Sequence, residues 1–314
     1  MPERHKIQNW SDYNRSLKNR GNIFFFIEEK LLKYKKKHNQ QYSDAVVIMC
    51  HQVKYLLKLP YRQTEGFLTS LVKKGFADLG KIPNYSTMCR RASNLDVQIK
   101  DFRKNKSEAI AVAIDSTGIH VYNMSDWRKE SNKRLYSGSD RYKKLHVMID
   151  LNSREVIDLE ITSASGAGTG DISVGNILTK RLDLDVEFLV ADAAYSKKSL
   201  YRIAHEKGIS NVVLPPSIFH IEGDKESESL NSRNEAIKFL NSFNDRKEGL
   251  KIWKKKSGYH IRSRIESFMA RFKRSFGKFF YARTDIRRKN EAIIKAILCN
   301  KFLELGMPIS QKIY

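Results

Sequence analysis

Apolar positions change their spacing near residue 100. Before it they recur at helical intervals. SDAVVIMCHQVKYLLKL (43–59) reads as one helix, with Ser43 as N-cap and Pro60 as a stop. YRQTEGFLTSLVKKG (61–75) reads as a second that ends at Gly75, and NYSTMCRRASN (84–94) as a short third. The polar stretch DVQIKDFRKNKSE (96–108) is the expected linker. Beyond it strands and helices alternate. AIAVAIDSTGIHVY (109–122) opens as a buried strand, and KLHVMIDL (144–151) and VIDLEITSAS (156–165) read as a hairpin about the turn NSRE. DISVGNILTKRL (171–182) is a helix, VEFLVADAAY (186–195) a strand, SKKSLYRIAHEKG (196–208) a helix and NVVLPPS (211–217) a short strand. Residues 218–256 read as irregular and charged, with one helix at NEAIKFLNSF (234–243). The stretch from Tyr259 to Lys273 reads as one long helix, and NEAIIKAILCNKFLEL (290–305) as the last. That order predicts a mixed α/β sheet with helices on its faces, preceded by an all-helical region. The expected division is 1–100 for the helical region and 101–314 for the sheet domain, with an irregular insertion at about 218–256.

Charge narrows the partner. Among 314 residues, 58 are Lys or Arg and 35 Asp or Glu, a formal net charge of +23. Such an excess favours a polyanion, and nucleic acid before a membrane surface. The longest apolar runs, IFFFI (23–27) and AIAVAI (109–114), are far too short to span a bilayer. MPERHKIQNW lacks the apolar core of a signal peptide. Cys50, Cys89 and Cys299 are few and scattered without a CxxC, which argues against a disulfide framework or a zinc site and for a reducing cytoplasm.

The acids carry the chemistry. Between Gly249 and Thr284 eleven Lys or Arg surround one acid, Glu266. On a helical wheel Tyr259, Arg262, Glu266 and Lys273 fall within about 60° of arc. Ile261, Ile265, Phe268, Met269, Phe272 and Phe276 form the adjoining apolar stripe, with Arg264, Arg271 and Arg274 on the outer side. An ordinary amphipathic helix would simply pair Glu266 with Arg262 four residues before it. Two further acids end apolar strands: Asp115 late in the first, Asp192 at the end of FLVAD. Each could be a turn or cap residue. Together, three carboxylates on two strand ends and a helix suit hard divalent cations, Mg²⁺ or Mn²⁺. A pair of such ions about 3.5–4 Å apart supports phosphodiester chemistry.

Several motifs occur in one order: D-S-T-G at Asp115–Gly118, D-A-A-Y at Asp192–Tyr195, and Y-x₂-R-x₃-E-x₆-K at Tyr259, Arg262, Glu266 and Lys273. With NWSDYNRSLKNRG (9–21), RYKKLHVMIDLNSREVI (141–157) and GYHIRSRIE (258–266), the chain resembles bacterial DDE transposases of the insertion-sequence-four and -five superfamily, most closely the insertion-sequence-five branch. The resemblance covers nearly the whole chain and is vaguest over 218–250. It implies an RNase H-like fold, and Asp115, Asp192 and Glu266 as catalytic residues holding two Mg²⁺ ions, with Mn²⁺ as substitute. Tyr259, Arg262 and Lys273 would support DNA near them. It further implies cutting at terminal inverted repeats, joining of the freed 3′ ends to target DNA, double-stranded DNA as partner, like subunits assembled on it, and a bacterial, nucleoid-associated setting in the cytoplasm. The N-terminal helices would read the element's ends, with Arg90 and Arg91 as groove readers. Here the chain departs from a simple helix-turn-helix: KGFADLGKIP (74–83) stands where a turn of 3–4 residues is usual.

Two other functions share these features. An RNase H-like nuclease would cut without joining, and a silent DNA-binding repressor would bind without cutting. The intact set of three acids argues against the repressor. SGAGTGD (165–171) lacks the Lys of a phosphate loop and reads as a turn with Thr169 or Asp171 capping the next helix. His146 reads as a packed strand residue, Ser116 has no nucleophile setting, and KYKKKH (33–38) reads as a solvated helix end. If the cations neutralise phosphates, DNA binding weakens with salt, log K falling by about 0.9 per phosphate contact for each unit of log salt. A titration without slope would remove DNA as the partner; a liposome control separates the membrane alternative.

Overall fold

The two ends of the chain meet in one unit. In the computed structural model, which describes residues 4–27, 41–76, 81–99, 109–122, 142–216 and 228–313, residues 1–98 group with 283–314, and residues 99–282 form a second unit. Residues 283–314, expected within the sheet domain of 101–314, group here with the N-terminal helices. The segment KYKKKH and most of the expected linker lie outside the described residues.

In the first unit, strand β1 (Arg4–Ile7) pairs antiparallel with the strand Ser310–Ile313 (β8). Asn9 reinforces that closure: its amide donates to the Met307 carbonyl at 3.0 Å and its side-chain oxygen accepts the Ile309 N–H at 2.7 Å. Helix α1 (Trp10–Arg20) follows. Three helices, α2 (Asp44–Leu56), α3 (Tyr61–Lys73) and α4 (Tyr85–Arg91), share a core of Val46, Met49, Cys50, Val53, Leu68 and Met88. Two of the three start on a capping side chain: the Ser43 hydroxyl accepts the Val46 N–H at 3.3 Å, and the Asn84 side chain accepts that of Thr87 at 2.8 Å. Helix α10 (Asp285–Glu304) packs on α2. Its Asn290 amide donates to the carbonyls of Ala92 and Leu95, and its Lys295 and Glu291 pair in the interior at 2.6 Å.

The second unit is a six-stranded mixed sheet. Its strands are β2 (Ile110–Val121), β3 (Tyr142–Asp150), β4 (Val156–Ser163), β5 (Val186–Ala191), β6 (Asn211–Val213) and β7 (Phe279–Phe280). The order is β4-β3-β2-β5-β6, with β7 paired parallel to the end of β2. β2, β3 and β4 run antiparallel; β2, β5 and β6 run parallel. The hairpin between β3 and β4 forms because the Asp150 carboxylate accepts the N–H groups of Asn152 and Ser153. Strand β2 is central and nearly uniformly apolar over its first five residues, as a strand buried on both faces must be. Its even positions, Ile110, Val112 and Ile114, meet helices α5 (Asp171–Arg181) and α6 (Lys198–Glu206), whose Val174, Leu178, Leu200 and Ala204 complete that core. Each such aliphatic side chain contributes about 1.5–3 kcal/mol on burial. The odd positions, Asp115 among them, take the opposite face by strand alternation. Helix α9 (Ser263–Phe276) packs against β2 through a buried stripe of Ile265, Phe268, Met269, Phe272 and Phe276.

Four expectations change. The long helix from Tyr259 begins only at Ser263; Tyr259–Arg262 form a 3₁₀ turn entered through Gly258 at φ 73°, a left-handed conformation that glycine adopts without cost. Residues 218–256 are not an irregular insertion throughout. Residues 217–227 lie outside the described residues, but α7 (Asn231–Asn241) and α8 (Arg246–Lys256) are both helical. Asp115 stands midway along β2 rather than late in it. Neither Thr169 nor Asp171 caps α5: Gly170 is the N-cap residue, and the Thr169 hydroxyl turns back to the Gly166 carbonyl at 2.7 Å. No described helix is long and apolar enough to cross a membrane.

Candidate active site

Strand pairing sets Asp115 and Asp192 on neighbouring strands, and a guanidinium links Asp115 to Glu266 on α9. Asp115 projects from the middle of β2, its side chain 16% exposed. Its Oδ1 accepts the Ser116 N–H at 2.8 Å. Asp192 ends β5, where its Oδ1 accepts the Ala194 N–H at 2.9 Å and so caps the 3₁₀ turn Ala193–Tyr195. Glu266, in the first turn of α9, is 54% exposed.

Arg262 joins them. Its Nη1 donates to Asp115 Oδ2 at 3.0 Å and its Nη2 to Glu266 Oε1. The pair expected of an ordinary amphipathic helix is therefore present, but the guanidinium reaches beyond it to an acid 147 residues earlier. Alone, a half-exposed i,i+4 pair stabilises by only about 0.3–0.5 kcal/mol. The link to β2 is what fixes the position of the turn. The Tyr259 ring lies under the same guanidinium, 5.6 Å from its carbon, and also meets Trp253 and the Lys254 ammonium, the latter at 5.1 Å. Lys273, two turns beyond Glu266 on α9, donates to the Thr117 hydroxyl at 2.5 Å. Burial first, then the neighbouring Lys278, lowers its pKa.

Arg262 bonds two of the three carboxylates, Asp115 and Glu266, while Asp192 acts on Asp115 and Arg262 through its field. Asp115 registers this: burial first, then the Asp192 and Glu266 carboxylates, push its carboxyl above its ordinary value. The Ser116 N–H and the Arg262 charge pull it down by less. The donors are all carboxylate oxygens, hard ligands of the kind that hold Mg²⁺ or Mn²⁺. In the arrangement described the guanidinium takes up the space between Asp115 and Glu266. Among the described residues no three His, Cys, Asp or Glu side chains stand close enough to share an ion.

Of the two arginines expected to read a groove, Arg90 is exposed at the end of α4. Arg91 turns into its own unit, donating to the Tyr42 carbonyl at 2.6 Å and pairing with Asp44; its planar fork is occupied there. Arg264, expected on the outer side, donates to the Leu151 carbonyl. One cluster escaped the sequence reading. Asp171 accepts from Ser116 Oγ at 2.7 Å and Lys144 Nζ at 2.6 Å, and lies 3.4 Å from the Tyr195 hydroxyl. An Asp in the first turn of a helix is so common that its type and place gave no signal.

The sheet order and the flanking helices are consistent with an RNase H-like DDE domain. Residues 106–301 match the family described as transposase DDE domain, and residues 18–124 match a second family of the same description. The first match spans more than half of the chain, and the protein belongs to the DDE transposase family. Membership supports a metal-dependent enzyme that cuts DNA, with DNA as its partner.

The raised pKa of Asp115 has a consequence for stability. A carboxyl whose folded pKa exceeds its unfolded value of about 3.9 binds its proton more tightly in the folded state. Its contribution is complete at acid pH and is lost as pH rises through the folded pKa, so the ionised group costs stability at neutrality. Asp115→Asn is expected to melt above the parent at pH 7, and the gap should close as pH falls below about 4. A variant that melts lower at pH 7 would mean that the bond from Arg262 outweighs burial and repulsion.

Proposed function

We propose that this protein is the transposase of a bacterial insertion sequence of the insertion-sequence-five kind, the branch with the Y-R-E-K signature. It cuts at the element's terminal inverted repeats and joins the freed 3′ ends to target DNA. The observation that carries this is the junction at Arg262. One guanidinium ties an acid of β2 to an acid of α9 while the field of Asp192 acts on Asp115 and on Arg262. The result is one acidic focus in a chain of net charge +23.

In this reading Asp115, Asp192 and Glu266 are the catalytic acids and would hold two Mg²⁺ ions, or Mn²⁺ in their place. When bound, such ions activate the attacking water or hydroxyl and stabilise the leaving oxygen of the phosphodiester. The chain's own residues do the rest. Arg262 bridges Asp115 and Glu266 in the absence of metal; once they are filled, its fork would turn to a DNA phosphate, the bidentate geometry that guanidinium offers. Tyr259 gives that fork a ring to pivot over. Lys273, poised beside Thr117, meets a second phosphate as a point charge. Arg90 and its neighbours in the helical unit contact the element's ends, and copies of the chain assemble on the paired ends.

The test uses a supercoiled plasmid carrying the gene with its own flanking DNA, incubated with the full chain and Mn²⁺. Asp115→Asn, Asp192→Asn and Glu266→Gln each keep side-chain shape and remove one negative charge. Each is expected to lower cutting and joining by about 10³-fold or more while gel-shift binding persists, and double changes should add little to single ones. Glu266→Gln cutting at the parent rate would sink the assignment of α9. Cutting without joined products would reduce the protein to a nuclease.

A further inference from the structure

The geometry points to Asp171 as a positioning residue that sets both strand-borne aspartates of the active site. This rests on the reading of Asp115 and Asp192 as metal-holding acids. Asp171 is the first residue of α5, a helix whose N-cap, Gly170, supplies no side-chain acceptor. A carboxylate there would ordinarily turn to the helix's own free N–H groups. This one turns to the sheet. Ser116 Oγ donates to its Oδ1 at 2.7 Å, Lys144 Nζ from β3 donates to its Oδ2 at 2.6 Å, and the Tyr195 hydroxyl reaches Oδ1 at 3.4 Å. His146, directly across the ladder from Ser116, stands with Nδ1 3.5 Å from the same oxygen and Nε2 3.0 Å from the Thr162 hydroxyl. Burial takes the His146 pKa down to about 4, so the ring is neutral at pH 7 and adds no charge.

Two of these partners are the immediate attachments of catalytic acids. Ser116 follows Asp115 on β2 and points to the opposite face. Holding Ser116 against α5 therefore presents Asp115 to the α9 side, and the Ser116 N–H in turn fixes Asp115 Oδ1. Tyr195 closes the turn that Asp192 caps. That tyrosine is 1% exposed and lies so close on α5 that a Cβ at Gly175 would come within 2.7 Å of its Cδ1. The turn bearing Asp192 is thus clamped between Gly175 below and Asp171 at its hydroxyl. A single carboxylate indexes β2 and the end of β5 to the same helix terminus, and a displacement of about 1 Å at a reacting centre can cost about 10²-fold in rate.

The experiment compares Asp171→Ala, Asp171→Asn and Ser116→Ala with the parent as full chains. It measures Mn²⁺ affinity by calorimetry, the Mn²⁺ midpoint of plasmid cutting, DNA binding without metal, and melting. Loss of a residue that orients metal-holding groups typically weakens metal binding by about 10–100-fold. Asp171→Ala is expected in that range, with its cutting midpoint moved to higher Mn²⁺ and its metal-free DNA binding unchanged. Asp171→Asn keeps an oxygen for Ser116 and Tyr195 and should recover part of the loss. Ser116→Ala, which removes one tie and leaves the Lys144 pair intact, should lose several-fold and decides the matter should Asp171→Ala fail to fold. Folded variants with parental Mn²⁺ affinity overturn the inference, and so does a lowered melting temperature with unchanged Mn²⁺ affinity, which is what a merely structural bond would give. A parent that neither binds Mn²⁺ nor cuts the plasmid brings down the proposed function itself, a failure distinct from any defect of the variants.

Discussion

Two carboxylates bridged by one guanidinium, with the field of a third acting on one of them, set the terms for the rest of this unit. Like charges brought together repel, and burial of Asp115 makes its ionised form costlier still. Nothing in the packing of β2 or α9 requires that arrangement. The apolar stripe of α9 would bury equally well with a neutral residue at 266, and burial disfavours the charged form of Asp115. Local electrostatic cost of this kind is a mark of sites shaped for activity rather than stability. Arg262 relieves part of the cost, and a divalent cation would relieve the remainder.

The architecture exists to hold that repulsion in place. β2, buried on both faces, cannot slip by one residue without turning its aliphatic set away from α5 and α6. Asp115 is therefore locked to the α9 side. β5 runs parallel to β2 and delivers Asp192 at its C-terminal end, the edge at which parallel α/β sheets present their functional groups. The 3₁₀ turn at Tyr259–Arg262 lets Arg262 reach back to β2 while α9 lays its aromatic stripe on the sheet. On the other face, Asp171 ties Ser116 and Tyr195 to α5. The acids are thus held from both sides, by α9 with Arg262 and by α5 with Asp171.

Much of this was legible in the sequence. Apolar runs of five to seven residues bounded by turn signals marked the strands of the sheet, because a buried strand has no solvent face to interrupt its pattern. Asp115, Asp192 and Glu266 stood out because acids are anomalous where they occur, two in apolar strands and one amid cations. The helix start at Ser263 was hidden, since a 3₁₀ turn and an α-helix share the same residue preferences over four positions. The pairing of α10 with the N-terminal helices was hidden for a different reason. Its AIIKAIL run shows that it is buried but carries no information on which surface buries it. Arg91 looked like a groove reader by type and place, yet its ion pair with Asp44 depends on a contact 47 residues away. Asp171 failed to stand out because its residue type is ordinary for a first helical turn.

The proposed function requires that Asp115, Asp192 and Glu266 form one cation site that Arg262 fills in the absence of metal. A crystal of the full chain grown with saturating Mn²⁺, with data collected at the manganese absorption edge, tests it most directly. Anomalous density is expected between the three carboxylates, with the Arg262 guanidinium withdrawn from between Asp115 and Glu266. Manganese bound elsewhere, with Arg262 still bridging the two acids, would contradict it.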